Sequence, residues 1–491
     1  MAAPRFEASA DYIVVGAGSA GCVLANRLSE GGERTVLLLE AGGPDRHPMI
    51  HVPMGIRWVV GNPATDWCYR TQPERELHGR SLIFPRGKTL GGTSAINGLV
   101  YVRGFPADYD AWAAGRESGL PVTEDFNGPA PEGLGYFDSN RLHGKRQSTA
   151  VAFLRPAMRR GNLRVETGAA AARILFEARR AVGVEYLQRG KTVRARAGRE
   201  VILSCGMVNS PQLLMLSGVG PAEELRALGI AVVHDAAQVG RNLQDHLDVN
   251  MQFECLQAVT YYRWTSRHRK LLAALRWGLF KSGFASELLL PIGGFLRSRP
   301  EIALPDIQLH LILALSGRDG QREPDREGFG VHICNLQPDS VGRVRLVSAD
   351  SRIAPAIEPN FLSAPNDILP IRAGMRIVRK LLQAPSMQSF RGLELAPGPE
   401  AVQDAALDEF VRRTALTVFH PTSTCRMGAD ASSVVDPTLN VRGVETLRIV
   451  DASVMPRVPR ANTNAPTIMI AEKAADIILH DRIAPAVIAA E

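Results

Sequence analysis

Apolar residues fall in short unbroken runs near the two ends of this chain and in alternating patterns through its middle. Tyr12-Ile13-Val14-Val15 is apolar on both faces of an extended chain, as a strand buried between two layers must be. Gly16, Gly18 and Gly21 follow, and from Cys22 to Leu28 apolar side chains recur at helical spacing. A second run, Thr35 to Leu39, ends at Glu40. Residues 199–204 read as another buried strand, passing through Cys205-Gly206 into a helix-like stretch, Pro211 to Ser217, closed by Gly218-Val219-Gly220-Pro221. Between residues 246 and 429 the glycine punctuation thins. There the alternation of Asp306 to Leu313 and Gly342 to Val347 predicts an antiparallel sheet, with a helix near Ile371 to Leu382. Leu447 to Asp451 returns to the buried-strand pattern. The pattern predicts an α/β fold whose parallel-stranded domain is discontinuous, assembled from the start, the region near 160–245 and the C-terminal part.

The first turn carries a chemical suggestion. Strand, glycine turn and helix together present the free N–H groups of a helix N-terminus to a pyrophosphate, and glycines let phosphate approach the backbone closely. Glu40 stands where an acidic residue meets the ribose hydroxyls of an adenosine. A glycine-rich turn that binds nothing is the alternative.

At 491 residues the chain exceeds one ordinary core, so two domains are expected. Hydrophobic residues at 45% and charged residues at 22% are ordinary for a globular protein and exclude disordered and collagen-like classes. The net charge of +7 is spread along the chain without any nucleic-acid signature, so nucleic acid is excluded as a partner. The densest basic run, Arg263 to Lys270 with Arg276 and Lys281 beyond, is interleaved with Leu271, Leu272, Leu275, Trp277, Leu279 and Phe280. It suits an amphipathic helix on an anionic membrane, or the solvated face of an ordinary helix. Six cysteines without CxxC or metal spacing suggest reduced, mostly buried thiols, no metal site and a cytoplasmic location. No signal-peptide core and no run of 18 apolar residues is present, so neither secretion nor a membrane span is expected; peripheral attachment to the inner face of the cell membrane stays open.

Five longer motifs, in order, resemble the glucose-methanol-choline (GMC) oxidoreductases: Pro85-Arg-Gly-Lys-Thr-Leu-Gly-Gly-Thr-Ser-Ala-Ile-Asn97, Gly206 to Pro221, Val239 to His246, His420-Pro-Thr-Ser-Thr-Cys-Arg-Met-Gly428 and Asn462 to Thr467. Within that family the likeness is to bacterial choline dehydrogenase and medium-chain alcohol dehydrogenase sequences. The resemblance implies a Rossmann-like FAD-binding domain (residues 8–50, 80–112, 157–245 and 430–491) with a discontinuous α+β substrate domain on an antiparallel sheet (51–79, 113–156 and 246–429). It implies cofactor contacts at Gly16, Gly18, Ser19, Ala20, Glu40, Ala41, Arg86, Gly91, Gly92, Thr93, Asn97, Gly98, Asp451, Ala452, Asn462 and Asn464. Gly91 and Gly92 remove side chains where backbone meets a flat ring, and Thr93, Ser94 and Asn97 offer hydrogen bonds. Asp451 reads as a ribityl contact or as a helix N-cap. Members with covalent flavin carry a histidine in the first motif; Ile96 holds that position, so FAD is expected to be non-covalent.

The resemblance places the chemistry on His420 as base and Asn462 as the amide that holds the substrate oxygen. Asn464 is read as structural or as a flavin contact, and His246 and His480 as non-catalytic, with Asn242 and Asp245 near the flavin. The expected reaction is oxidation of a primary aliphatic or aryl alcohol to its aldehyde, electrons passing to a quinone or, as an alternative, to oxygen. Phe284, Leu288, Leu289, Leu290, Pro291, Ile292 and Phe295 form an apolar stretch that serves either as pocket wall or as core. As pocket wall it favours aliphatic or aryl alcohols over sugars and, without an obvious aromatic cage, disfavours choline. A few relatives instead cleave cyanohydrins or decarboxylate fatty acids under light, the latter without histidine at the position of His420, and a degenerate flavin-binding protein is a further alternative.

Two departures bear on this reading. Only Ala113 to Ser118 separate Asp108-Tyr-Asp-Ala-Trp112 from Gly119 to Asn127, where most members carry several dozen residues, so a more open cavity or impaired activity is expected. Ser423 stands where glycine is usual, which alters the pocket floor if that glycine has positive φ or admits substrate.

Overall fold

The computed structural model describes residues 6–101, 120–123, 125–128, 132–315 and 326–480. The two apolar runs at the start form neighbouring parallel strands, Ala8–Val15 and Val36–Glu40. Leu163–Thr167 lies outside the second, while Lys191–Leu203 and then Leu447–Ile449 extend the sheet on the other side of the first, all parallel. Strand order therefore reverses between Ala8–Val15 and Lys191–Leu203, and a doubly wound sheet opens its binding crevice at such a reversal. The N-terminal half of Lys191–Leu203 also pairs antiparallel, on its other edge, with Arg180–Gln188, itself paired with Ala169–Glu177. Buried Arg448 on the last strand donates from Nε to Glu200 Oε2 at 2.9 Å, fastening the C-terminal segment to the sheet.

The ends of the chain also meet through helices. Asn464–His480 packs along Ser19–Leu28, and Arg27 holds Glu472 in a bidentate pair at 2.7 and 2.8 Å. The stretch read as a helix from Pro211 starts earlier, at Gly206, and runs to Leu216. Pro211 cannot donate to the carbonyl of Met207, and Thr424 Oγ1 donates to that oxygen instead at 2.7 Å. This bond ties the helix to the His420 loop.

A second sheet is antiparallel throughout, in the order Arg391–Ala396, Leu247–Cys255, Gly328–Asn335, Ile307–Ile312, Ile292–Leu296 and Gly133–Tyr136. Its strands divide their side chains by alternation. Val249, Met251 and Phe253 pack with Leu309 and Ile333 under the helix Ile368–Leu382, which begins three residues before the sequence suggested. Asp248, Asn250 and Gln252 point to the other face. Gly342–Arg345 does not join this sheet, contrary to expectation; it forms a separate three-stranded sheet with Arg241–Leu243 and Ala356–Glu358. All six cysteines are free, four of them buried. Among the described residues no helix is long and apolar enough to cross a membrane, and no cluster of potential ligands could hold a metal.

Candidate active site

Between the parallel sheet and the polar face of the antiparallel sheet lies a cavity of about 1580 Å³. That exceeds the roughly 300–1,000 Å³ of a drug-sized site, leaving room for a dinucleotide together with a small substrate. Of the residues expected to contact a cofactor, the wall carries Gly16, Gly18, Ser19, Ala20, Glu40, Ala41, Arg86, Gly92, Thr93, Asn97, Gly98, Asp451, Ala452, Asn462 and Asn464, and His420 lines it too.

Gly91 stands behind the wall rather than on it. Its φ of +90° sets up the turn, and a Cβ there would meet Ser148 at 3.2 Å. Ser94 is likewise internal, donating from Oγ to the carbonyl of Gly91 at 2.6 Å and accepting from Thr149 N at 2.9 Å. Asn242 and Asp245 also lie off the cavity. The segment from Asp108 to Gly119 falls outside the described residues.

The cavity's chemistry fits FAD. Gly16 has φ +99° and a Cβ on it would stand 2.5 Å from the carbonyl of Ser204, so only glycine permits the two central strands to converge here. A Cβ on Gly92 would stand 2.6 Å from Gly18 Cα, and the two loops therefore meet backbone to backbone. No side chain caps the helix Ser19–Leu28, whose first N–H groups remain available to a pyrophosphate. Glu40 accepts from Ala17 N and Gly42 N, both at 2.8 Å, and burial raises its pKa to about 7. Ser19 Oγ donates to Asn464 Oδ1 at 2.8 Å, so both ends of the chain share one wall, and the Asn464 amide nitrogen is buried without a protein partner. Asp451 caps the turn Ala452–Val454 through Ser453 N at 2.8 Å and also lines the cavity. Ile96 lines the wall as a buried aliphatic side chain that can form no covalent flavin link.

The reactive end is a hydrogen-bonded chain. Gln308 Nε2 donates to Asn462 Oδ1 at 3.3 Å, Asn462 Nδ2 lies 3.0 Å from His420 Nε2, and His420 Nδ1 lies 3.1 Å from His246 Nδ1. Because the Asn462 nitrogen can only donate, His420 Nε2 must carry the lone pair, its proton then residing on Nδ1 and pointing to His246. Burial, and after it the charges of His246, His310 and Arg86, pushes the His420 pKa well below the ordinary histidine value, so the imidazole is neutral. Asp245 Oδ1 accepts the backbone N–H groups of His246 and His420 at 2.8 and 2.9 Å, setting both rings from below. His246 itself is absent from the cavity wall.

Sequence reasoning missed the opposite wall. The alternation of Asp248-Val-Asn250-Met-Gln252 and of Gln308-Leu-His310 was available as a signal, but only the packed sheet reveals which face looks inward. Asp248 accepts from His332 Nδ1, and Asp248, His310 and His332 all line the cavity. The expected apolar lining is corrected accordingly. Only Leu289 and Leu290 of that stretch reach the cavity, whereas Leu288 and Phe295 pack with Phe126 and Phe137 in a separate core. Arg146 was also missed: fully buried, it donates to the carbonyls of Ile50 at 2.8 Å and Asn97 at 2.7 Å, bracing the loop that carries Asn97. Ser423 has φ +76° and faces Thr422 Oγ1 at 2.9 Å rather than the cavity, so its consequence is backbone strain, not an altered pocket floor.

An alcohol dehydrogenase (acceptor) of Pseudomonas putida is 41% identical over 526 aligned positions, covering 96% of this chain and 95% of the relative. An oxygen-dependent choline dehydrogenase of Photobacterium profundum is 40% identical, covering 96% and 93%. Both alignments are longer than the 491 residues of this chain, so the relatives carry residues that it lacks. The crystal structure of pyridoxine 4-oxidase from Mesorbium loti superposes with a TM-score of 0.86 at 26% identity, covering 96% of this chain and all of the other. The descriptions GMC oxidoreductase, N- and C-terminal, match residues 10–116 with 113–248 and residues 338–471, so the chain belongs to the GMC oxidoreductase family, FAD-dependent enzymes that act on CH–OH donors.

Proposed function

We propose that this protein oxidises a primary alcohol to its aldehyde with His420 as base, and delivers the electrons to a quinone-type acceptor. The observation that carries the reading is the Asn462–His420 pair on the cavity wall, with the lone pair of Nε2 turned to the amide and the Nδ1 proton held by His246. A substrate hydroxyl entering between the two receives an N–H from Asn462 on its oxygen and gives its proton to Nε2. Bound FAD supplies the hydride acceptor for the carbinol carbon. Neutral His420 needs no prior deprotonation at ordinary pH.

The polar wall narrows the substrate. Asp248, His332 and His310 suit an alcohol that carries a second hydrogen-bonding group, whether its chain is aliphatic or aryl. The acceptor rests on the likeness to an acceptor-dependent alcohol dehydrogenase, and an oxygen-dependent relative of similar identity keeps oxygen as the competing choice.

The experiment is the visible flavin spectrum of the purified protein without oxygen and in the dark, titrated with alcohols of different length, aromaticity and polarity. Bleaching by an alcohol supports dehydrogenation, and admitting quinone or oxygen then identifies the acceptor. A bound flavin that no alcohol reduces turns the reading to lyase chemistry or to a flavin-binding protein without turnover.

A further inference from the structure

Among the described residues, the helix Arg267–Phe280 is nearly all surface. Ala273 is its one buried residue, and Trp277 fixes its inner side by donating from Nε1 to the carbonyl of Gly144 at 2.8 Å. At about 100° per residue, Leu271, Leu272, Leu275 and Leu279 fall on an arc about 100° wide directly opposite that inner side. They are 53–73% exposed, as is Phe280 beside them. A solvated helix face carries polar side chains, whereas this outward crest carries four exposed leucines and, in its first turn, His268.

Charge selects what covers this crest. Arg267 flanks the leucines on one side, Arg269 and Arg276 on the other. From Cys255 to Ser286 the chain has six Lys or Arg residues and no Asp or Glu. A second copy docked face to face would set these positive flanks against each other, which opposes self-association. An anionic lipid surface complements both parts at once, acyl chains taking the leucines and headgroups the basic flanks. The next turn, Phe284–Ser286, packs against Pro53–Gly55, and the adjoining Arg57 and Trp58 line the cavity, so the crest lies beside the cavity's rim.

We propose that the helix Arg267–Phe280 is an interfacial anchor that docks the protein on an anionic lipid bilayer, its leucines in the acyl boundary and its arginines and lysines at the headgroups. The docking does not depend on which alcohol or acceptor the enzyme uses.

The test is co-sedimentation of the full-length, FAD-loaded protein with vesicles of phosphatidylcholine alone and of phosphatidylcholine with phosphatidylglycerol, over a range of salt. Binding is expected only with phosphatidylglycerol present and weakens as salt screens the headgroup attraction. The double variant Leu275→Glu/Leu279→Glu is expected to lose vesicle affinity on the order of a hundredfold, and Arg267→Gln/Arg276→Gln about tenfold. An unchanged flavin spectrum and thermal midpoint establish that both variants are folded. Failure to bind any vesicle overturns the proposal, as does binding that the leucine variant leaves intact. Self-association in the absence of vesicles that the leucine variant abolishes overturns it in favour of a second copy.

Discussion

His420 and His246 face each other Nδ1 to Nδ1 at 3.1 Å, the first on the cavity wall and the second behind it. Only one of these nitrogens can carry the proton, and the donor-only contact from Asn462 on the far side of His420 assigns it to His420. Under the proposed mechanism His246 is therefore a positioning residue: it fixes the tautomer that leaves Nε2 free to act as base, without touching substrate. Both rings are buried, so water cannot substitute for the missing acceptor.

The consequence is measurable. His246→Leu leaves the Nδ1 proton of His420 without an acceptor and is expected to slow flavin reduction by about a hundredfold with little change in substrate KM. His246→Asn offers an amide oxygen near the same place and should recover most of the rate. Loss of FAD or a lowered thermal midpoint in the Leu variant would trace the loss to folding. Equal rates in both variants and the native protein would remove His246 from the mechanism.

Ser423 holds a left-handed backbone conformation in a fully buried site. A residue with a Cβ costs about 1–2 kcal/mol there, and glycine loses about 0.5–1 kcal/mol through the greater freedom of its unfolded chain. Ser423→Gly is thus expected to stabilise the holoenzyme by up to about 1 kcal/mol, seen as a raised thermal midpoint with unchanged flavin reduction. A lowered midpoint would mean that the contact between Ser423 Oγ and Thr422 Oγ1 outweighs the strain.

Asp248 and His332 present a hydrogen-bonded pair of side chains to the cavity. Asp248→Asn should lower kcat/KM for a diol or amino alcohol by about ten- to a hundredfold while sparing a simple alcohol of equal length. The ratio between the two substrates is the readout, because a general loss of fold or flavin lowers both. An unchanged ratio would assign the pair to sheet stability.

How far the sequence foretold this site depends on where each signal lay. The glycine turn, its flanking strands and Glu40 are contiguous, and local backbone geometry alone dictates their arrangement, so the pattern sufficed. His420 and Asn462 lie 42 positions apart and became neighbours only through resemblance to a family. Asp248, His310 and His332 sit on three strands whose alternation is plain, yet alternation does not say which face meets solvent, core or cavity. The apolar stretch from Phe284 to Phe295 had the same ambiguity, and the structure divides it: Leu288 and Phe295 pack with Phe126 and Phe137, while Leu289 and Leu290 reach the cavity. Ser423 was visible as a departure from glycine, but its effect turned on a φ angle that no residue pattern specifies.

The last prediction concerns pH. A base works only while neutral, and burial holds the His420 pKa well below the ordinary histidine value, with His246 at about 4 for the same reason. Both folded-state values lie below those of the unfolded chain, so each imidazole stays neutral at and above ordinary histidine pKa and gains a proton only as pH falls through the depressed value. The rate of flavin reduction should therefore be flat across neutral pH and remain so below pH 6.5, with its acidic limb displaced well under that point. Stopped-flow reduction by a saturating alcohol at a series of pH values measures it, with the oxidised flavin spectrum confirming retention of FAD at each pH. An acidic limb centred near 6.5 would show that the catalytic imidazole meets water, and would contradict a buried, amide-paired His420 as the base.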